Sequence, residues 1–385
     1  MTVTFAEATQ ISSSVVDFDV HGFLTIRLID ALSADVAAVE RQLGMRSGAA
    51  VDAEPAIIVR FVPSLADGSR TKLLGLDEAA YTGRDFFVLR GAEKSRVRCA
   101  IDFRAIGGVC EILCEAGIGS VPLLVPIINL SALARGFVPL HGSAFEYEGK
   151  GVVVAGWAKG GKTELLLAFM NHGATYVGDE WIYVSPGGEA AYGLPEPIKL
   201  WDWHLPDVPD VVSRLTPGQR LKLRSAVAAH TLAGLGAGGV GRRAAALIGR
   251  QRYVNVPPAM LFDASRRQLR GRFDHLILAG SHDSQGVRVG PIDPELVARR
   301  MAFSLTYERL DFLSWYLKYR FAFPDRPNSL IDRAAELERD LLRKAFRGKP
   351  AHAVYHPYPA RIPDLYRAVE PLLDYVGPAL ERDSA

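Results

Sequence analysis

Gly156-Trp157-Ala158-Lys159-Gly160-Gly161-Lys162-Thr163 fills the phosphate-loop pattern G-x-x-x-x-G-K-[ST] without a gap. Its flanks have the required order. Gly151-Val152-Val153-Val154-Ala155 reads as a short buried strand, and Thr163-Glu164-Leu165-Leu166-Leu167-Ala168-Phe169-Met170 as the first turns of a helix. Glycines let successive backbone amides curl around a phosphate, and the helix N-terminus adds partial positive charge. The Lys162 ammonium then reaches the β and γ phosphates, and the Thr163 hydroxyl is a magnesium ligand of the usual kind. Residues Gly156 to Glu164 are therefore the candidate contacts for a nucleoside triphosphate.

The stretch around the loop extends the pattern. Ala144-Phe145-Glu146-Tyr147-Glu148 and Gly151-Val152-Val153-Val154 flank a Gly149-Lys150 turn, so a hairpin feeds the loop. The helix after the loop stops at His172-Gly173, where glycine suits a left-handed cap. A strand follows, Ala174-Thr175-Tyr176-Val177, then Gly178 and the adjacent carboxylates Asp179-Glu180. A triphosphate site needs a carboxylate for the magnesium shell, and a kinase needs an acceptor for the proton of the attacking hydroxyl. Neighbouring side chains on a strand face opposite ways, so both carboxylates reach one site only if the strand ends or bends at Gly178. A surface Asp-Glu in a turn is the alternative. His141, in Leu140-His141-Gly142-Ser143, opens the hairpin, and a lone histidine is more often a structural residue than a catalytic one.

The chain has 385 residues, 49% of them hydrophobic, with a net charge of +2, enough for a substantial core and more than one domain. From Arg214 to Lys349 bases outnumber acids about two to one. That bias suits phosphate-bearing ligands or a solvated arginine-rich surface equally, and no aromatic-interleaved basic stripe or zinc pattern points to nucleic acid. Cys99, Cys110 and Cys114 lack Cys-x-x-Cys spacing and suit a reducing cytoplasm, and the first ten residues do not read as a secretory signal. Ala116 to Ala134 carries no charge and is long enough to span a membrane, but Pro122, Pro126 and Asn129 favour a buried helix.

Residues 1–137 read as a β-rich accessory region for substrate selection or assembly. Its strands are Phe23–Ile29, Ala56–Val62, Asp85–Leu89 and Arg96–Ile101, with one helix over Leu32–Leu43. Residues 138–290 form the nucleotide core, with further strands at Ile198–Leu205 and Leu276–Ala279 and a Gly/Ala-rich loop over Ala233–Arg243. Residues 291–385 read as helical: Pro294 to about Phe321, Ser329–Arg347 and Ile362–Tyr375. Within the first of these, Trp315, Tyr316 and Tyr319 suit a core or an interface, core being the better fit.

Leu140-His141-Gly142, the loop ending Gly161-Lys162-Thr163-Glu164, and Gly173 followed by Asp179-Glu180 together resemble the catalytic domain of bacterial HPr kinase/phosphorylase. The resemblance covers about Leu140 to Val184. It implies an α/β (α+β) fold of the HPr kinase/PEP carboxykinase type, with the nucleotide loop on a mixed β-structure rather than a doubly wound sheet. It implies Asp179 as catalytic acid/base, Glu180 as a metal-associated carboxylate and His141 close to the transferring phosphate; Lys162, from the loop itself, joins the catalytic set by neutralising developing charge. Thr163 stands where the family has serine and Glu180 where it has a second aspartate. Trp157 is bulky for a loop position, suited to stacking on the nucleotide or shaping the acceptor side. Arg250 and Arg252 are the nearest candidates for a charge-neutralising arginine, and they suit surface cations at least as well. The N-terminal region does not resemble that of true HPr kinases, which argues against HPr as substrate and for a divergent member.

The expectation is an ATP- and Mg²⁺-dependent cytoplasmic kinase, with Thr163, Glu180 and Asp179 at the metal. Its acceptor would be a serine-like hydroxyl on a protein, peptide or small molecule, with no nucleic acid, no membrane span and scope for a homo-oligomer. The alternative is a nucleotide-dependent ATPase switch or assembly protein with no phosphoryl acceptor.

Overall fold

Val152 and Val154 face one hydrophobic cluster while Val153 and Ala155 face another, and all four are fully buried. A strand covered on both sides needs apolar residues at every position, which is why this run does not alternate with polar residues. The computed structural model describes residues 15–50, 52–65, 71–91, 96–235, 249 and 252–374. They form a mixed α/β architecture whose residues group into two units. One comprises the described residues to Ser131 with Phe312–Ile331, and the other Ala132–Asp311 with those from Asp332 onward.

The first unit is built on a nine-stranded sheet. Leu24–Ile29, Ile57–Val62 and Cys110–Glu115 run parallel at its centre, and the remaining pairings are antiparallel. The helix Ser33–Leu43 lies in the parallel connection between the first two of these strands, as a crossover requires. Phe103 stacks on Tyr319 at 5.0 Å, and Phe86, Phe312 and Tyr316 close around them, so Tyr316 and Tyr319 are core residues. Asn328 is buried and bonded at both ends. Its amide nitrogen donates to the carbonyls of Phe103 (2.7 Å) and Ile106 (2.9 Å), and its oxygen accepts from the amides of Leu330 and Ile331, capping the helix Ser329–Phe346.

The second unit carries the loop. Its six-stranded sheet runs Thr175–Gly178, Ser143–Tyr147, Lys150–Gly156, His275–His282, Ala351–Pro357, Arg288–Pro291. The loop strand Lys150–Gly156 is antiparallel to its hairpin partner and parallel to His275–His282, so the sheet is mixed. Tyr147 pairs with Lys150, which puts the turn at Glu148-Gly149, one residue earlier than the sequence suggests. Both turn residues have positive φ, 49° and 75°, the geometry a two-residue hairpin favours. The loop helix Lys162–Met170 and the helix Ile362–Leu373 cover one face of this sheet. The helix Pro294–Glu308 and a four-stranded sheet (Val138–His141, Trp181–Val184, Ala190–Gly193, Arg270–Arg272) belong to the other face's core.

Three expectations are corrected. The strand from Ile198 ends at Trp201, where the chain turns into a 3₁₀ segment and the Trp201 amide donates to His204 Nδ1. The helix expected over Pro294 to Phe321 is two helices, Pro294–Glu308 and Leu310–Ala322, parted at Arg309, whose guanidinium pairs with the buried Glu338. The strand Ala351–Pro357 was not foreseen at all. The apolar run before the loop does contain a helix, Leu124–Ala134, with Leu124, Ile127, Ile128 and Leu130 buried. Among the described residues no helix is long and apolar enough to cross a membrane. Most of the Gly/Ala-rich segment lies outside the described residues.

Asn328 supplies a test of the first unit. Asn328→Ala removes a helix cap and leaves the carbonyls of Phe103 and Ile106 without their donor, so urea denaturation should show a loss of about 2–4 kcal/mol. A loss within the noise of a surface substitution would show that these bonds do not hold the unit together.

Candidate active site

The chain changes sheets twice at the site. Val138–His141 belongs to the four-stranded sheet and Ser143–Tyr147 to the six-stranded one, with Gly142 between them. Thr175–Gly178 belongs to the six-stranded sheet and Trp181–Val184 to the four-stranded one, with Asp179-Glu180 between them. The crossings are neighbours: His141 pairs with Trp181, and the Gly142 amide donates to the Glu180 carbonyl at 3.0 Å. A Cβ on Gly142 would come within 2.7 Å of the Val154 carbonyl oxygen, so the crossing beside the loop strand requires glycine. Glu180 takes φ 68°, a left-handed conformation costly for a side chain that lacks a special reason to be there. It is the bend that brings both carboxylates to one site.

Around the loop the groups meet closely. The Thr163 hydroxyl donates to Asp179 at 3.0 Å. The Lys162 ammonium is buried and lies 3.0 Å from the Trp157 carbonyl oxygen, and its backbone carbonyl accepts from the Ser143 hydroxyl. Burial lowers the Lys162 proton affinity, opposed by the charges of Asp179, Glu180 and Glu308. Gly161 has φ 94°, and a Cβ there would run into the ring of His356, whose Nε2 lies 3.0 Å from the Gly160 carbonyl oxygen. The loop is thus braced from beneath by the unforeseen strand Ala351–Pro357.

The two adjacent carboxylates have opposite electrostatics. Asp179 is 2% exposed, and burial, reinforced by the charge of Glu180, pushes its proton affinity up to about 7. Burial acts on Glu180 in the same direction, but hydrogen bonding from His141 and the charge of Lys199 overcome it and hold Glu180 at about 2. One Glu180 oxygen lies 3.0 Å from His141 Nε2, the other 2.9 Å from Lys199 Nζ. His141 Nδ1 lies 2.7 Å from Glu308, so each ring nitrogen faces a carboxylate. Desolvation disfavours the imidazolium, yet the two carboxylates raise the His141 proton affinity above its ordinary value. Glu164, buried in the first turn of the loop helix, accepts from His204 Nε2 at 3.0 Å and is lowered against the opposing effect of burial.

These residues line a cavity of about 690 Å³. His141, Lys162, Thr163, Glu164, Asp179 and Glu180 all border it, as do the loop residues from Ala158 to Gly161. Trp157 is half exposed and meets Tyr307 at 4.9 Å between ring centroids, at the rim where Tyr307 and Glu308 end the helix Pro294–Glu308. Glu308, Lys199, Trp201, His204 and Tyr253 border the cavity without having been singled out from sequence. For Glu308 no local signal existed. Lys199 and Trp201 alternate with apolar residues on a strand, which marks a face but not what it faces. Arg252 pairs with Asp202 and is not brought to the cavity, and Arg250 lies outside the described residues.

Among the described residues no group of three or more histidine, cysteine or carboxylate side chains is arranged to hold a metal ion. Compared with models of known protein families the chain matches none, and no curated protein matches it either.

Asp179 makes stability depend on pH in a direction opposite to that of an ordinary paired carboxylate. Its proton affinity is higher folded than unfolded, so ionising it costs stability. The penalty is absent below the ordinary value of 3.8, grows as pH rises toward about 7 and is complete above it. Asp179→Asn keeps an acceptor for Thr163 and cannot ionise. Thermal melts of the ligand-free protein should show the variant more stable at pH 8, by on the order of 1–3 kcal/mol, with the advantage vanishing near pH 4. Equal shifts at both pH values would contradict this account.

Proposed function

We propose that the chain is an ATP- and Mg²⁺-dependent kinase, a divergent relative of HPr kinase/phosphorylase, that transfers the γ-phosphoryl group to a serine-like hydroxyl of a protein, peptide or small molecule. The observation that carries this reading is the contact of the Thr163 hydroxyl, at the end of a complete phosphate loop, with a buried carboxylate whose proton affinity lies near 7. A carboxylate poised near the working pH is suited to take a proton from an attacking hydroxyl and to release it afterwards. The mixed sheet under the loop and the meeting of His141 with Glu180 support the likeness to that family.

In this mechanism the loop amides and Lys162 hold the phosphates and offset the charge that develops on them. Asp179 accepts the proton of the acceptor hydroxyl as its oxygen bonds to the γ-phosphorus and the bond to ADP breaks. Magnesium in phosphate sites takes one or two protein oxygens and fills its shell with phosphate and water, and Thr163 with Glu180 and Asp179 offers such oxygens on the cavity wall. When bound, the ion would supply positive charge to the phosphate oxygens. His141, held between Glu180 and Glu308, keeps the Glu180 carboxylate oriented. The Trp157–Tyr307 pair stands on the acceptor side of the cavity in this reading.

Transfer of label from γ-labelled ATP to an acceptor in cell extract tests the proposal. Lys162→Ala and Asp179→Asn should each lower transfer by about 100-fold or more. Release of free phosphate with no labelled acceptor, undiminished in Asp179→Asn, would favour the nucleotide-driven switch instead.

A further inference from the structure

The cavity beside the loop has an aromatic end whose rings the phosphate chemistry does not use. Trp201 stands opposite Tyr253 in the two-stranded sheet Ile198–Trp201/Tyr253–Val256, their ring centroids 5.0 Å apart. Trp203 lies nearly flat against Trp201, at 4.5 Å and 16°, and meets Tyr358 edge-on at 5.8 Å. Trp201, Tyr253 and Tyr358 border the cavity. The strand explains their placing. Ile198 and Leu200 are buried on one face, so Lys199 and Trp201 share the other, and Lys199 is bonded to Glu180. Trp201 therefore stands two residues, roughly 7 Å along the strand, beyond the lysine that holds Glu180.

Hydrogen bonds tie this end of the cavity to the phosphate loop. The Trp201 amide donates to His204 Nδ1, and His204 Nε2 donates to Glu164, the residue after Thr163 in the loop helix. In a phosphate loop the backbone amides cradle the α and β phosphates while the lysine reaches toward γ. The aromatic end is thus tied to Glu164, in the first turn of the loop helix. His141 and Glu308 stand at the opposite side of Glu180.

We propose that Trp201, Tyr253 and Tyr358 form the subsite for the planar base of the nucleotide, which enters by stacking. The nucleotide then lies with its base at this end and its γ-phosphate toward Lys162 and Asp179, leaving the Tyr307–Glu308 end to the acceptor. The inference rests on the reading of the loop as a triphosphate site.

Calorimetry on the full chain with Mg²⁺, using ADP and inorganic pyrophosphate as probes, separates the two. ADP should bind at least tenfold tighter than pyrophosphate. Trp201→Leu and Tyr358→Ala should each weaken ADP at least fivefold while leaving pyrophosphate within twofold. Tyr358 is 45% exposed, so its variant decides the matter should Trp201→Leu lose its thermal transition. Pyrophosphate binding as tightly as ADP, or ADP affinity unchanged in Tyr358→Ala, overturns the base subsite and leaves the loop reading standing. Binding of neither probe to the unaltered protein overturns both.

Discussion

The hydrogen bond from the Gly142 amide to the Glu180 carbonyl joins the two points where the chain passes from one sheet to another. The rest of the site hangs on it. His141 leads into one crossing and Asp179-Glu180 forms the other, so residues far apart in sequence arrive on one side of the loop strand. The requirement for glycine at 142 and the left-handed Glu180 are local costs of that arrangement. Such costs persist where surrounding structure over-determines the conformation, and here Ile182 and Val184 beyond the bend are fully buried.

Charge is distributed around this joint so that Glu180, Glu308 and Glu164 are lowered while Asp179 is raised, as is Glu196, which burial pushes up to about 8. Glu180 has His141 and Lys199, Glu308 has His141, and Glu164 has the His204 N–H. Asp179 has the neutral hydroxyl of Thr163, in a position as deeply buried as any of them. Burial and the charge of Glu180 raise the Asp179 proton affinity, and the Thr163 hydroxyl and the Lys162 charge offset only part of that rise. The difference between these carboxylates therefore combines depth of burial with the choice of partner.

What could be read from sequence was what lies within a few residues of itself. The loop, its apolar strand, the following helix and the end of the next strand at Gly178 all have signals shorter than about ten residues, the range over which periodicity and turn chemistry act. The crossover helix Ser33–Leu43 and the strands of the first unit are of this kind. Glu308 is not: it meets His141 across 167 positions, at the end of a helix whose pattern explains only its buried face. His356 lies on a strand flanked by helices, and its contact with Gly160 spans 196 positions. Trp201 and Tyr253 pair only because two short strands find each other. Arg252 failed for the complementary reason, since a motif-like position near a strand gives no hint that Asp202 will hold it.

The glutamate at position 180 gains a physical meaning from the bend. A left-handed residue turns its side chain away from the strand's ordinary alternation, and the extra methylene lets the carboxylate span two partners, an imidazole and an ammonium. One oxygen reaches His141 and the other Lys199, on strands of different sheets. An aspartate there would be one methylene shorter and, on the same backbone, would be expected to reach one partner at the expense of the other, leaving an unpaired charge close to Asp179. Because Glu180 is held ionised by both, its negative charge is fixed beside Asp179, and that fixed charge is part of what raises the proton affinity of Asp179. In the proposed transfer, adjacent carboxylates pushed apart in this way would divide the work between a constant charge and a proton acceptor.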